Sequence, residues 1–193
     1  KVTKVVKAVD DVTFNVYPGE TLGLVGESGC GKTTLGRTIL RLVNNNGGQI
    51  IYKGIDLGTL STKELRNYRK DMQIVFQDPY SSLNPRLTVS EAIMEPMRVH
   101  NILGSEEEQM NRVVELLVRV NMGKEHFYRY PHEFSGGQRQ RICIARSLAL
   151  NPQFIICDES VSALDVSVQA QVLNLLNELR DEFNFTYIFI SHD

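Results

Sequence analysis

The sequence predicts an α/β fold with a mostly parallel sheet, and three observations lead to this class. Short apolar segments that suit buried strands alternate with longer segments of helical periodicity. A glycine-rich turn follows one apolar strand and precedes a helix, as at the carboxyl edge of a parallel sheet. Residues 78–149 are mostly helical in pattern, which predicts a helical subdomain inserted on one side of the sheet.

The first third of the chain predicts two strands and a helix. Residues 8–16 have the composition of a strand, and residues 21–25 form a short, wholly apolar strand of the kind that is buried in a parallel sheet. A helix is predicted from about residue 32 to residue 43, because the turn-rich sequence NNNGG follows at 44–48.

The later elements repeat this alternation of strands and helices. Strands are predicted at 49–53, 72–76, 154–157 and 186–190, and helices at 61–70 and about 167–182. In the last helix, the apolar residues between Val168 and Leu179 recur on one face. Because parallel strands end at one edge of a sheet, we expect the functional groups at the carboxyl ends of these strands.

Composition excludes several classes of protein. The 193 residues suit one sizeable domain, and 21 basic against 23 acidic residues give a net charge of −2, with no electrostatic reason to expect a nucleic-acid partner. The longest apolar runs have four residues, whereas a membrane span needs roughly 20, and no apolar leader is present. Three scattered cysteines indicate a reducing, cytosolic setting, and Cys143 and Cys157 are expected to be buried hydrophobic residues.

The sequence GESGCGKT at 26–33 predicts a phosphate-binding loop of the P-loop type. Its glycines allow the backbone to wrap around a phosphate, and the helix that follows adds its positive end. The ammonium of Lys32 would reach the β- and γ-phosphates of a nucleoside triphosphate, and the hydroxyl of Thr33 would bind Mg²⁺. The predicted nucleotide-binding residues of this segment are Gly26, Glu27, Ser28, Gly29, Cys30, Gly31, Lys32, Thr33 and Thr34.

Two adjacent carboxylates follow the apolar strand in FIICDE at 154–159. Asp158 would hold Mg²⁺ through water, and Glu159 would orient or deprotonate the water that attacks the γ-phosphate. Two acids at the end of one strand are weak evidence alone. Beside a P-loop they form the expected second half of the site, and they favour hydrolysis over transfer to a substrate hydroxyl.

A second anion-binding pattern occurs in FSGGQRQR at 134–141. Ser135, Gly136 and Gly137 place a hydroxyl and unhindered amides at the start of a helix. One phosphate cradle already exists at 26–34, so this second one would serve another ATP. The pattern therefore predicts a head-to-tail dimer, although SGG alone is more often an ordinary helix start.

Together these motifs resemble the nucleotide-binding domain of an ABC-type ATPase, with its signature at 135–138. By this resemblance, Gln77 contacts the metal or the attacking water, and His192 contacts the γ-phosphate. Residues 162–165 (SALD) resemble the family's D-loop, which crosses the dimer seam. The resemblance implies a P-loop NTPase fold with a parallel core, an N-terminal antiparallel β subdomain and a helical signature subdomain.

The resemblance also implies a division of roles within the site. The catalytic residues would be Lys32, Gln77, Glu159 and His192, and the metal ligands Thr33, Gln77 and Asp158. ATP would also contact the partner's copies of Ser135, Gly136, Gly137, Gln138 and Asp165.

Longer segments are similar to the ATPase subunits of bacterial oligopeptide, dipeptide, nickel and glutathione importers. These segments are GESGCGKTTLGR, FQDPYSSLNPRLTV and DESVSALDVSVQAQVLNLL. The similarity implies an ATPase that uses ATP and Mg²⁺ and pairs with a second ATPase subunit as a homo- or heterodimer. It would bind transmembrane permease subunits, and indirectly a substrate-binding protein, on the cytoplasmic face of the bacterial inner membrane.

Another class of function stays open at this point: a soluble ABC ATPase that is not tied to transport. A carbon–phosphorus lyase accessory subunit is the hardest example to exclude, because such proteins share much of the importer-like sequence. Repair ATPases carry long insertions and translation factors carry two such domains, and neither feature is visible here. A P-loop kinase is disfavoured by SGGQ and by the adjacent acids Asp158 and Glu159.

The sequence also departs from the family's pattern. We expect Phe14 to face the core, so that the adenine-stacking aromatic residue is missing, and we expect the chain to be truncated at both ends. The segment Tyr80–Arg86 is a turn-rich loop by composition, although the resemblance places it against a permease helix. The acidic run 106–108 is expected to open a helix, and His100, His126 and His132 are expected to be exposed.

Overall fold

The computed structural model describes residues 7–192. In chain order the elements are β1 (Thr21–Val25), α1 (Lys32–Ile39), β2 (Ile51–Tyr52), β3 (Ile55–Asp56), α2 (Thr62–Arg69), β4 (Met72–Val75), α3 (Pro79–Ser82), α4 (Val89–His100), α5 (Glu106–Arg119), α6 (Gly136–Leu148), β5 (Phe154–Asp158), α7 (Val166–Phe183) and β6 (Thr186–Ser191). This order confirms the predicted alternation of strands and helices.

The described part of the chain contains a four-stranded parallel sheet in the order β1-β6-β5-β4. Val25 at the end of β1 pairs with Ser191 at the end of β6. Asp158 at the end of β5 pairs with Ile190 of the same β6 strand. The strand ends therefore meet at one edge of the sheet, as predicted.

The two faces of the sheet pack into two separate cores. Ile155 and Cys157 of β5 belong to the larger core, which α4, α5, α6 and α7 complete. Phe154 and Ile156 of the same strand belong to the smaller core, with residues such as Leu65 of α2. Side chains alternate across a strand, so burial on both faces explains the uninterrupted apolar sequence of β5.

The residues between β4 and β5 form helices, as predicted. Three of these helices begin with a capping box, in which a hydroxyl and a side chain three residues later each satisfy a backbone N–H. The pairs are Thr88 with Glu91, Ser105 with Glu108, and Ser135 with Gln138. The acidic run 106–108 lies in the first turn of α5, where the helix dipole favours it.

Several boundaries in the first third of the chain differ from prediction. Residues 8–16 form no strand, and Asp11, with φ of 49°, interrupts any extended course through this segment. Antiparallel pairing among the described residues is limited to β2 with β3, joined by Lys53 and Gly54, which both have positive φ. The helix predicted to residue 43 ends at Ile39, because Arg41 adopts a positive φ of 54°.

Burial was also mispredicted in places. β1 lies at the edge of the described sheet, so it is half-exposed and not buried, and Val25 is 62% exposed. Phe14 does not face the core but is 39% exposed, since its segment is not part of the sheet. The prediction of no signal peptide concerns residues 1–6 as well, which lie outside the described part of the chain.

The remaining corrections concern side chains outside the sheet. The segment 80–86 is not wholly a loop, because Asp78 caps the short helix α3.

His132 is exposed as predicted, but His100 and His126 are half-buried. Burial lowers the pKa of His100, and the nearby cations Arg66, Lys70 and Arg69 lower it further. None of the helices within residues 7–192 combines the length and the hydropathy that a membrane span requires.

Candidate functional site

The predicted site residues follow the ends of neighbouring strands. Residues 26–31 connect β1 to α1, and Asp158 and Glu159 end β5 and begin the next loop. Gln77 follows β4 by two residues, and His192 follows β6 directly. The topology therefore places these groups along one edge of the sheet, where α/β proteins bind ligands.

The loop between β1 and α1 is shaped by two glycines in the left-handed region. Gly29 has φ of 81° and Gly31 has φ of 102°, a conformation that costs other residues energy. A Cβ on Gly31 would lie 2.0 Å from the carbonyl oxygen of Ala8, so the N-terminal segment also requires glycine at this position. Residue 31 precedes α1, whose first turn carries no side-chain cap, which leaves its N–H groups directed at the loop.

Lys32 is a buried cation inside this loop, with 6% of its surface exposed. Its Nζ donates to the carbonyl oxygen of Gly26 and, at 2.8 Å, to that of Glu27. No ion pair between Lys32 and a carboxylate occurs within residues 7–192. A buried ammonium whose hydrogen-bond partners are carbonyl oxygens and a sulfur atom, with no carboxylate, gains stability from an anion, so the loop fits a phosphate group.

Thr33 and Asp158 join the loop to the strand β5. Thr33 Oγ1 donates to Asp158 Oδ1 at 2.8 Å, and Asp158 is 4% exposed. A hydroxyl and a carboxylate side by side supply the hard oxygen ligands that Mg²⁺ prefers, and Mg²⁺ usually takes only one or two such protein ligands. These residues therefore fit a magnesium ion that is shared with a bound phosphate.

Gln77, Glu159 and Ser162 form a hydrogen-bonded cluster beside this pair. Gln77 Nε2 donates to Glu159 Oε2 at 2.9 Å and to Ser162 Oγ at 3.1 Å. Ser162 Oγ in turn donates to the backbone oxygen of Glu159 at 2.9 Å. The structure thus brings together two predicted site residues, Gln77 and Glu159, that are 82 positions apart in the sequence.

Glu159 has an unusual backbone conformation for its residue type. Its φ of 47° lies in the left-handed region, which is unfavourable for residues other than glycine. Its N–H donates to the carbonyl oxygen of Ile190 at 3.1 Å, and Ser162 N–H donates to its carbonyl oxygen at 3.0 Å. These contacts fix the direction in which the Glu159 side chain leaves the strand.

The SGGQ segment forms the N-terminus of α6. Ser135 Oγ accepts from Gln138 N–H at 3.3 Å, and Gln138 Oε1 accepts from Ser135 N–H at 3.0 Å. Ser135 and Gly136 are exposed, whereas Gly137 is buried against α7. A Cβ on Gly137 would lie 2.3 Å from Cγ1 of Val168, so close packing of α6 on α7 requires this glycine.

The other predicted site residues lie at the edges of this region. Asp165 is the N-cap of α7, but its carboxylate accepts no capping hydrogen bond. His192 is exposed at the end of β6. Cys30 is exposed within the loop, and its Sγ lies 3.9 Å from Lys32 Nζ.

Cys143 and Cys157 are buried hydrophobic residues, as predicted. Burial raises the pKa of Cys143 to about 11 and that of Cys157 to about 12, so both are neutral thiols near pH 7. Neither cysteine can act as a nucleophile in this environment.

Three contacts of the site were not predicted from the sequence. The hydroxyl of Ser162 lies between Gln77 and Glu159, and its only sequence signal is its place in SALD at 162–165. The approach of Ala8 to Gly31 and that of Val168 to Gly137 have no sequence signal beyond the glycines themselves.

The chain is similar in sequence to proteins of a known family. A family model described as ABC transporter matches residues 9–162. The glutathione import ATP-binding protein GsiA of Escherichia coli O157:H7 is 58% identical over all 193 residues. The oligopeptide transport ATP-binding protein OppF of Bacillus subtilis strain 168 is 57% identical over 189 residues, 97% of this chain. The chain spans only 31% of GsiA and 62% of OppF.

The fold of the chain is also similar to that of solved structures. A dimeric structure of MJ0796, described as a bacterial ABC transporter cassette, has a TM-score of 0.88 and 32% identity, covering 100% of this chain and 83% of that one. MJ0796 has also been solved as a dimer in a post-hydrolysis state bound to ADP and Pi. The alignment with that structure has a TM-score of 0.86 and 32% sequence identity. It covers 96% of this chain and 80% of the MJ0796 chain.

Proposed function

The chain belongs to the ABC transporter family, and we propose that it is the ATP-hydrolysing domain of a bacterial importer for peptides or similar small solutes. The observation that carries this proposal is the convergence of the Lys32 loop, the Thr33–Asp158 pair and the Gln77–Glu159 pair at one sheet edge. The names of the 57–58% identical relatives support import of peptides or glutathione over a role outside transport.

The loop at 26–34 would bind the phosphates of ATP. Its amides and the N-terminus of α1 would receive the phosphate oxygens, and Lys32 would exchange its two carbonyl partners for the β- and γ-phosphates. This exchange is favourable, because in a buried site an ion pair with phosphate replaces hydrogen bonds from the ammonium to uncharged carbonyl oxygens. Thr33 and Asp158, together with Gln77, would hold the magnesium ion, which neutralises charge on the phosphates when bound.

Hydrolysis needs a water in line with the γ-phosphate and a base to take its proton. Glu159 is the proposed base, and Gln77 donates to the same carboxylate and would orient the water. The water oxygen bonds to the γ-phosphorus, the bond from that phosphorus to the bridging oxygen breaks, and ADP keeps the electron pair. Lys32 and His192 would stabilise the charge on the transferring group.

Completion of the site would require a second ATPase subunit. The exposed Ser135 and Gly136 lie at the start of α6, and their hydrogen bonds stay within that helix start. This leaves an anion-binding helix terminus that we assign to the ATP held by the partner, together with Gln138 and Asp165. The subunits would lie head to tail, so that each α6 start meets the other subunit's ATP, and the dimeric state of the similar MJ0796 cassette supports a second subunit.

Movement of the dimer would act on permease subunits in the membrane. We propose that residues 78–149 form the subdomain that meets them and that the protein lies on the cytoplasmic face of the inner membrane. A substrate-binding protein would select the solute, so its contact with this chain is indirect. The name of one solved relative, cbiO1 from Clostridium perfringens, places it in a transporter complex.

The test is the full-length protein with Glu159→Gln, measured for ATP hydrolysis and ATP-dependent dimerisation. We expect kcat to fall at least about 100-fold, because the base is lost, while ATP still binds and a dimer accumulates. Glu178→Gln, an exposed acid on α7, is the matched control and should keep full activity. Retained hydrolysis by Glu159→Gln would exclude Glu159 as the base.

A second measurement distinguishes transport from a soluble role. The tagged full-length protein, purified in mild detergent from its own cells, should bring down polytopic membrane subunits. Recovery of a soluble multi-enzyme complex instead would support an accessory subunit of the carbon–phosphorus lyase type.

A further inference from the structure

We propose that Ser162 is a positioning residue for hydrolysis: its hydroxyl holds Gln77 and Glu159 in their working geometry. This inference rests on the proposed function, because it assigns a role within the same site. Ser162 acts through the other two residues, since its hydroxyl contacts the Gln77 amide and the Glu159 backbone.

The chemistry of the three partners fixes the direction of each hydrogen bond. The backbone oxygen of Glu159 can only accept, so the Ser162 hydroxyl must donate its single proton there, at 2.9 Å. The remaining lone pairs of Ser162 Oγ are then free to accept from Gln77 Nε2 at 3.1 Å. The orientation of the Gln77 amide follows, because its Nε2 donates to the carboxyl oxygen Oε2 of Glu159 at 2.9 Å.

These contacts form a closed triangle. Both hydrogens of the Gln77 amide are used, one by the Glu159 carboxylate and one by Ser162 Oγ. Ser162 then returns to the backbone of Glu159. Without the Ser162 hydroxyl, the Nε2 of Gln77 would keep one hydrogen bond, to the Glu159 carboxylate, and the amide could rotate about that bond. The Gln77 amide and the Glu159 carboxylate would then lose their fixed mutual orientation.

The triangle also supports the left-handed backbone of Glu159. Its carbonyl oxygen accepts from both the N–H and the Oγ of Ser162, at 3.0 and 2.9 Å. Such a conformation persists only where the surroundings determine it strongly. The N–H bond survives when the side chain is truncated, so Ser162→Ala should keep the turn and the fold while loosening the direction of the Glu159 side chain.

The predicted signature follows from what Ser162 does not contact. Within residues 7–192 of its own subunit, its side-chain hydrogen bonds lead to Gln77 and Glu159, and none leads to the loop at 26–34. ATP binding should therefore be almost unchanged while the chemical step slows. A role in general stability would instead lower the melting temperature and affect binding as well.

The experiment compares Ser162→Ala, Ser162→Thr and wild-type full-length protein for kcat, KM for ATP and thermal stability. Ser162→Ala should lower kcat about fivefold to tenfold, with KM changed less than about twofold. Ser162→Thr keeps the hydroxyl and should restore kcat to within about threefold of wild type. Ser167→Ala removes an exposed serine of α7 and should match wild type.

A double-mutant cycle with Gln77→Ala tests the connection to Gln77. If Ser162 acts through Gln77, the double variant should be less impaired than the product of the two single effects. Three outcomes would each overturn the inference. The first is a double variant whose loss of kcat equals the product of the two single losses. The others are an unchanged kcat in Ser162→Ala and a kcat of Ser162→Thr as low as that of Ser162→Ala. If the wild-type protein itself hydrolyses no ATP, the proposed function fails with it, whereas an active wild type and an unaffected Ser162→Ala refute only the role of Ser162.

Discussion

The hydroxyl of Thr33 donates to a carboxylate oxygen of Asp158 at 2.8 Å, although 125 positions separate the two residues. This contact ties the first residues of α1 to the last residue of β5. It places a hydroxyl oxygen and a carboxyl oxygen where one cation could contact both, and it joins the two halves of the proposed site.

Replacing Asp158 with asparagine should raise the Mg²⁺ concentration needed for half-maximal ATP hydrolysis by roughly 10- to 100-fold. The amide still offers an oxygen to Thr33 but removes the negative charge that attracts the cation. A magnesium titration of the steady-state rate measures the change. Asp181→Asn, at an exposed acid of α7, is the control. An unchanged magnesium requirement in Asp158→Asn would contradict the assignment of this carboxylate.

Ser135 should serve the ATP bound by the partner, and dimers of two different variants can show this. When Ser135→Ala is on one subunit and Glu159→Gln on the other, both changes affect the same composite site, so one site stays intact. When both changes are on one subunit paired with wild type, each site carries one change. We therefore expect markedly higher ATPase activity from the first dimer than from the second. The opposite order would indicate that Ser135 serves its own subunit.

Loss of a helix cap could itself impair activity, so Ser135→Ala needs a matched control. Ser61 caps α2 with the same capping-box geometry, and its replacement by alanine costs a similar amount, about 1 kcal/mol. Ser61→Ala should reduce thermal stability slightly and leave ATP hydrolysis unchanged. Equal ATPase losses in both variants would mean that helix capping accounts for the Ser135 effect.

Cys30 should be the thiol of this chain that reacts in the folded state. It is exposed in the phosphate loop, whereas Cys143 and Cys157 are buried with raised pKa values. Of the three thiols in these 193 residues, we expect N-ethylmaleimide to label Cys30 alone in the folded protein and all three after denaturation, as located by peptide mass spectrometry. ATP with Mg²⁺ should slow the labelling several-fold by covering the loop, and Cys30→Ser should abolish it. Labelling at the same rate with and without ATP would place the nucleotide elsewhere.

Gly137→Ala should destabilise the fold by about 1–3 kcal/mol, because the new methyl group overlaps Cγ1 of Val168 on α7. Chemical denaturation measures this loss. Gly136→Ala is the control, since its Cβ would lie at an ordinary 3.4 Å from Cδ2 of Leu164. In a protein that already carries Val168→Ala, the change Gly137→Ala should cost less stability than it does in the wild type, because the overlapping methyl group is absent. A Gly137→Ala protein as stable as Gly136→Ala would show that the helices can separate without cost.

The strands of the parallel sheet were predictable because their sequence signal is local. A run such as Phe154–Cys157 has no polar residue, since both faces of β5 are covered. The common location of the motifs at strand ends was predictable for a second reason: the topology of a parallel sheet brings the carboxyl ends of its strands to one edge. The sequence segments around Lys32, Asp158 and Glu159 therefore predict a shared location, and the structure places all three at one edge of the sheet.

Contacts that depend on backbone conformation between strands were not predictable. The meeting of Gln77 with Ser162 requires the turn after β5 and the positive φ of Glu159, and neither has a local sequence signal. The strand predicted at 8–16 failed for a related reason: its alternation suits a strand, but a strand also needs a hydrogen-bonding neighbour, and Asp11 turns the chain away.

The central place of β6 has a consequence for how the protein is made. The strands that carry the phosphate loop and the acids, β1 and β5, do not pair with each other, because β6 lies between them and is hydrogen-bonded to both. During synthesis from the N-terminus, β6 leaves the ribosome after all other strands of this sheet. A growing chain therefore carries every residue from Gly26 to Glu159 and still lacks the strand that sets Thr33 beside Asp158. The site is assembled late in folding, so a nascent chain gains the geometry of the proposed site only when β6 pairs with β1 and β5.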